Sequence, residues 1–231
     1  MMRATPCDLS PMLLPASDAS DLIDDLSGIR LIHADQGLII ADKPAGLLCQ
    51  PGLGANQADS LLSRLRHHWP SLQLVHRLDR DTSGLLLLST NADLHRALSR
   101  LFAERRVLKI YRADVAGQPA TPSGSITLAL SKRSHQPPLY GPDPGGKPCR
   151  SDWRLLEHRA GWSRLELVPH TGRSHQLRVH LAAIGHPILG DPLYGAPHAP
   201  ASDRLKLHAS RLAFEHPFTA EPMCFESPCP F

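Results

Sequence analysis

Val75-His76-Arg77-Leu78-Asp79-Arg80-Asp81-Thr82-Ser83-Gly84-Leu85-Leu86-Leu87-Leu88 sets one carboxylate between two arginines, follows it with turn-forming residues, and runs into four consecutive leucines. A short apolar run bounded by turn signals reads as a buried strand. Asp79 then stands on a loop held against the core, where polar groups are presented without disturbing the packing. Arg77 and Arg80 favour its ionised form, because nearby positive charge stabilises a carboxylate. An ionised aspartate held in place can serve as nucleophile, general base or metal ligand. It can equally do no more than cap a turn, as Asp often does ahead of Thr-Ser-Gly.

Upstream, Ile29–His33 and Gly37–Ala41 read as two strands split by a turn at Ala34-Asp35-Gln36. Leu61, Leu62 and Leu65 share one helical face, and Pro70 ends that helix. Residues 1–28 hold five aspartates against Arg3 and show no sustained period, so they read as a mobile acidic leader. Residues 29–231 form the folded domain. The chain carries a net charge of +3; the leader accounts for −4, leaving a basic body that suits a polyanionic partner.

Downstream, Asn91 is a good N-cap for a helix with Leu94, Leu98, Leu101 and Phe102 along one stripe. From 96 to 112 the chain has six basic residues (Arg96, Arg100, Arg105, Arg106, Lys109, Arg112) and one acid, Glu104. A solvated helix face explains part of such a run, and phosphate contact explains the excess. Residues 107–115 alternate as a strand with Lys109, Tyr111 and Ala113 on one face, where Tyr111 can be simply core. The proline- and glycine-rich stretch 132–150 reads as a long loop. Residues 151–157 and 162–168 read as a hairpin, and 205–214 as a final strand. In His170-Thr171-Gly172-Arg173-Ser174-His175-Gln176-Leu177-Arg178-Val179-His180-Leu181, Ser174 is the expected cap of a helix whose apolar face is Leu177, Leu181 and Ile184 and which ends at Gly185. Arg178 falls at the edge of that buried face, where an arginine needs an anion. Asp79 is the expected partner.

The 231 residues hold five cysteines, an odd number without pairwise metal spacing, which suits reduced thiols in the cytoplasm. No apolar run approaches the ~18 residues of a membrane span, and the N-terminus has no signal-peptide pattern.

Three separated blocks together resemble one family: His76-Arg77-Leu78-Asp79 with Thr82-Ser83-Gly84; Lys109-Ile110-Tyr111; and Thr171–His180 running on through Gly185-His186-Pro187-Ile188-Leu189-Gly190-Asp191. Lys43-Pro44-Ala45-Gly46 and Leu207-His208-Ala209 match as well. In this order they are similar to the RluA family of RNA pseudouridine synthases, in the short form without an S4-type domain. The resemblance implies an α+β fold around a mixed, largely antiparallel sheet with flanking helices and an RNA-binding cleft. It implies isomerisation of uridine in rRNA or in a tRNA anticodon stem-loop, by a monomer, without metal or organic cofactor. By the same resemblance Asp79 is the catalytic aspartate, Tyr111 the active-site tyrosine, Arg178 the arginine paired with Asp79, and Leu207 the aliphatic residue beneath the uracil. Arg77 matches an arginine near the RNA; Arg80, Arg105, Arg106, Lys109, Arg173 and His175 complete the expected RNA contacts.

Two rival classes, a metal-dependent hydrolase and a noncatalytic RNA-binding protein, fit less well. In a two-aspartate phosphatase of the haloacid-dehalogenase type the motif follows an apolar strand directly, whereas His76-Arg77 interrupts the approach here and Thr82 falls one place early. A zinc site is disfavoured because His175 and His180 stand five apart, where helical zinc pairs stand four apart. A noncatalytic RNA-binding protein would leave Asp79 and Arg178 without purpose.

Overall fold

The leucine run is buried on both sides, and that fact organises the molecule. In the computed structural model, which describes residues 26–35, 37–54, 57–135 and 137–231, β4 (Ser83–Ser89) is buried along its whole length. Leu86 and Leu88 face one core, with α1 (Leu61–Leu65) against it. Leu85 and Leu87 face a second core, against α2 (Ala92–Ala103). A strand covered on both faces needs no polar alternation.

Around it run β1 (Arg30–Ala34), β2 (Leu38–Lys43), β3 (Gln73–Leu74), β5 (Leu108–Ala116), β6 (Ser123–His135), β7 (Pro138–Pro142), β8 (Lys147–Arg159), β9 (Trp162–Pro169), β10 (Leu207–Glu215) and β11 (Pro222–Glu226), with α3 (Gln176–Ala183) between β9 and β10. They form one sheet in the order β1-β2-β4-β10-β5-β9-β8-β6-β7, with β11 on β10 and β3 on β4. Among these strands every pairing is antiparallel except β4 with β10. The fold is α+β, as expected.

The parallel pair brings together two segments far apart in the chain: His208 lies beside Ser83 and Ala209 beside Gly84. Gly84 has φ +112°, and a Cβ there would sit 2.3 Å from the Ala209 carbonyl oxygen. Only glycine permits both that backbone and that approach. Ser83 is locked alongside: its Oγ accepts from Arg204 at 2.5 Å and meets His208 Nδ1 at 2.9 Å. The Ser227 carbonyl can only accept, so Nδ1 takes the Ser83 proton and the neutral ring carries its hydrogen on Nε2. That nitrogen reaches the Ser227 carbonyl at 3.2 Å.

Three expectations are corrected here. The stretch 132–150 is the end of β6, all of β7 and the start of β8. Its prolines mislead because β7 is an edge strand and Pro148 precedes the first β9 pairing at Ser151, positions where a missing N–H breaks no ladder. Ser174 does not cap α3; the N-cap is His175, with φ +54° and no side-chain cap bond. The third core packs Leu177 and Leu181 of α3 on β5, β8 and β9, while Ile184, expected on that face, is exposed. Asn91 caps α2 as expected, accepting from Asp93 and Leu94 N–H. The strand β11 had no counterpart in the sequence reading, and the leader lies outside the described residues through position 25. Among the described residues no helix is long and apolar enough to cross a membrane.

Candidate active site

The loop that carries Asp79 is fixed from beneath. Thr82 N–H donates to the Asp79 carbonyl at 3.2 Å, closing a turn. Leu78 is pinned by Cys49, its N–H reaching Sγ at 3.3 Å while Sγ donates to its carbonyl at 3.2 Å. The fully buried Lys43 donates to the carbonyls of Pro44, Leu47 and Arg80, each at 2.8 Å. Burial pulls Lys43 down to about 8, against the raising effects of Cys49, Asp81 and Asp79. Three donors for three carbonyls satisfy the ammonium where water is excluded. Arg80 was expected on RNA, yet its Nε is tied back to the Gly46 carbonyl at 3.0 Å and it is not part of the cleft wall. The first block and the Lys-Pro-Ala-Gly turn are thus one clamped unit.

Above this unit opens a cleft of about 690 Å³, walled by Asp79, Tyr111, Leu207, Arg178 and His175, with Arg77, Arg105, Lys109 and Arg173 among the cations. Asp79 keeps 26% of its side chain exposed there, and Arg178 only 3%. Arg178 Nη1 stands 3.5 Å from Asp79 Oδ2. Its planar fork belongs elsewhere: Nε and Nη2 bind Asp191 at 2.8 and 2.7 Å. Burial works against the arginine's charge, and the hydrogen bonds and charge of Asp191 outweigh it, raising Arg178 above the usual arginine range. The expected Asp79–Arg178 pair therefore exists as one long contact, with Asp191 as the principal partner. Asp191 Oδ1 also accepts from the N–H groups of Leu193 and Tyr194 at 2.9 and 3.0 Å, so one carboxylate orients the arginine and shapes the next turn. Sequence reasoning missed its role. Its one mark in the sequence is that Gly190-Asp191 closes the third block of the resemblance.

Tyr111 comes from β5, between Ala209 of β10 and Leu167 of β9. Burial, then the charge of Asp79, raises its phenol above the usual range, so it enters the cleft neutral. Leu207, buried at the head of β10, lies on the same wall. His175 is turned inward: Nδ1 meets Tyr194 Oη at 2.8 Å, and Nε2 lies 3.9 Å from Asp79 Oδ1.

The basic run divides in two. Arg105 and Lys109 face the cleft. Arg96 pairs with Asp93, Arg100 stands 3.8 Å from Glu104, and Arg106 lies 3.5 Å from Glu104 and 3.8 Å from Glu215. These exposed pairs are the solvated face, and the expected RNA contact at Arg106 is not on the cleft wall. His76 serves the frame: its Nε2 accepts from Leu87 N–H at 3.1 Å and its ring stacks on Phe102 at 4.6 Å. Burial, then Lys109, lowers His76 to about 3, which keeps it a neutral acceptor. Tyr140 from β7 also lines the cleft.

A family model described as RNA pseudouridylate synthase matches residues 37–183, which sets this fold and cleft among the RNA isomerases. The chain belongs to the RluA family of RNA pseudouridine synthases. It is 39% identical over 207 residues to the dual-specificity RNA pseudouridine synthase RluA of Escherichia coli (strain K12), covering 87% of this chain and 93% of that one. The protein of the same name from Pasteurella multocida (strain Pm70) is 40% identical over 209 residues, covering 88% and 94%. Among solved structures, human RNA pseudouridylate synthase domain containing 1 superposes with a TM-score of 0.76 at 28% identity, covering 95% of this chain and 87% of that one. Human RNA pseudouridylate synthase domain containing 4 gives 0.69 at 25% identity, covering 87% and 88%. The protein is an RNA pseudouridine synthase.

Proposed function

We propose that this enzyme draws a uridine out of structured RNA into the cleft and isomerises it with Asp79. The observation that carries this reading is the position of Asp79. Its carboxylate is open to the cleft, its backbone is clamped from below, and Arg178, Tyr111 and Leu207 stand around it.

Pseudouridine formation breaks the N1–C1′ bond, turns the uracil, joins C5 to C1′ and moves the C5 proton to nitrogen, with no change in redox state. A base stacked in a helix is out of reach, so the nucleotide must be extruded and held by stacking. Tyr111 offers an aromatic face and Leu207 an apolar floor. Since burial and Asp79 keep the Tyr111 phenol neutral, it is not a standing base; the carboxylate of Asp79 is the group able to attack or to accept a proton. Arg77, Arg105, Lys109 and Arg173 neutralise phosphates along the rim, which supplies affinity without base readout.

The substrates we assign are rRNA and the tRNA anticodon stem-loop, read largely by shape. We assign this work to the cytoplasm and to a monomer. The test is chemical mapping of pseudouridine in transcribed rRNA fragments and tRNAs with and without the enzyme. Modification of a loop uridine in either class supports the assignment; modification confined to unstructured RNA contradicts it.

A further inference from the structure

We propose that His175 is a positioning residue that orients the Asp79 carboxylate through its second oxygen, rather than a contact to RNA. The inference rests on Asp79 being the reacting carboxylate. Arg178 approaches Oδ2 at 3.5 Å, and His175 Nε2 faces Oδ1 at 3.9 Å, so the two side chains address different oxygens of one carboxylate.

The ring is held by more than packing. It lies edge-on to Tyr140 and Tyr194, with centroids 5.2 and 5.7 Å away. Its Nδ1 meets Tyr194 Oη at 2.8 Å, and that same oxygen accepts the Tyr140 N–H at 2.9 Å. With the Tyr140 donor on its oxygen, the hydroxyl is free to give its one proton to Nδ1. The neutral imidazole then carries its hydrogen on Nε2, the nitrogen aimed at Asp79. Burial, assisted by Arg178 and Arg77 and opposed by Asp79 and Asp191, lowers the protonation of the ring and favours this neutral donor.

The backbone supports the same reading. His175 takes φ +54° at the head of α3, a left-handed conformation that costs energy for a non-glycine residue. Strain of this kind persists where surrounding structure imposes it, and here it turns the ring into the cleft. The chain of contacts runs from Asp191, which shapes the turn at Tyr194, through Tyr194 to His175 and so to Asp79. Asp191 thereby serves both side chains that face Asp79.

The test measures single-turnover pseudouridine formation and RNA affinity on the same transcribed tRNA and rRNA fragments. His175→Ala should slow isomerisation about tenfold or more, the scale of a displaced reacting group, while RNA affinity stays within about twofold, since no phosphate contact is removed. His175→Gln, whose amide N–H can occupy the place of Nε2–H, should recover most of the lost rate. Tyr194→Phe, which removes the hydroxyl that sets the tautomer, should slow turnover with affinity unchanged. A His175→Ala enzyme with the wild-type rate but weakened, salt-sensitive binding would make His175 an RNA contact and overturn the proposal. Equal losses in the Ala and Gln variants, tracking a fall in melting temperature, would make the residue merely structural and overturn it too. A fully active Asp79→Asn enzyme would instead remove the reading on which the inference rests, independently of His175.

Discussion

Arg178 gives its two-donor fork to Asp191, at 2.8 and 2.7 Å, inside the protein. The remaining nitrogen reaches toward Asp79 at 3.5 Å. The arginine is thus positioned by a carboxylate that is itself fully buried. Replacing Asp191 by Asn leaves a buried guanidinium short of its counter-charge, a loss on the order of 3–5 kcal/mol. Asp191→Asn should therefore lower the unfolding midpoint and the isomerisation rate together. Arg178→Lys should fall short of full activity, because an ammonium cannot reproduce the fork. Denaturant titration and single-turnover rates check both; wild-type behaviour in either variant would refute the arrangement.

Gly84 stands where β4 and β10 run parallel, and a Cβ there would lie 2.3 Å from one Ala209 backbone atom and 2.6 Å from another. Gly84→Ala has no room to relax except by parting the two strands, which moves Asp79 away from Leu207. Unfolding free energy should drop by about 1–3 kcal/mol, as for overpacking at a site with strained backbone, and activity should fall further than that loss of folded protein explains. Melting curves and rates on the folded fraction decide it.

RNA affinity should weaken steeply as salt rises. Arg105→Ala and Lys109→Ala should each reduce the slope of log affinity against log salt by about one unit. Arg106→Ala should leave the slope nearly unchanged, because Arg106 pairs with Glu104 and Glu215 on the exposed face. A larger effect at Arg106 than at Arg105 would reverse the assignment of the basic run.

His180 is fully buried, its ring beside the Leu128 backbone but without a well-formed hydrogen bond among the described residues. Burial lowers it from 6.5 to about 4. As pH falls, the unfolded chain takes up the proton first, so the stability associated with this neutral ring is complete above about 6.5 and is lost on descent toward 4. The slope is at most about 1.4 kcal/mol per pH unit for one proton. His180→Leu should flatten the pH dependence of unfolding between those values; an unaltered dependence would mean the ring is not the group being titrated.

Much of this was readable before any coordinates. The leucine strand, the Asn91 cap and the alternating strand through Tyr111 follow from periods and capping chemistry, which are local. From its surroundings alone Asp79 suits a turn cap as well as an active site; its expected role comes from the resemblance carried by three separated blocks. What stayed hidden depends on distant partners. Asp191 lies on a loop without a period, Lys43 acts through three carbonyls that no pattern announces, and no sequence signal marks the left-handed conformation of His175. The β7 strand reads as loop in the sequence because proline marks turns in most contexts, and its place at the edge of the sheet is what makes the prolines tolerable.

The most direct test of the account compares Asp79→Asn with Asp81→Asn. The two residues stand two apart in one loop, yet only Asp79 is on the cleft wall. Pseudouridine formation in transcribed tRNA and rRNA fragments is measured alongside RNA binding. The account predicts that Asp79→Asn abolishes isomerisation and binds RNA nearly as well as the wild type, since the amide keeps the shape and lacks the reacting charge. Asp81→Asn should remain substantially active, losing at most the ~0.5–2 kcal/mol of a capping interaction. An Asp79→Asn enzyme that forms pseudouridine at the wild-type rate would contradict it.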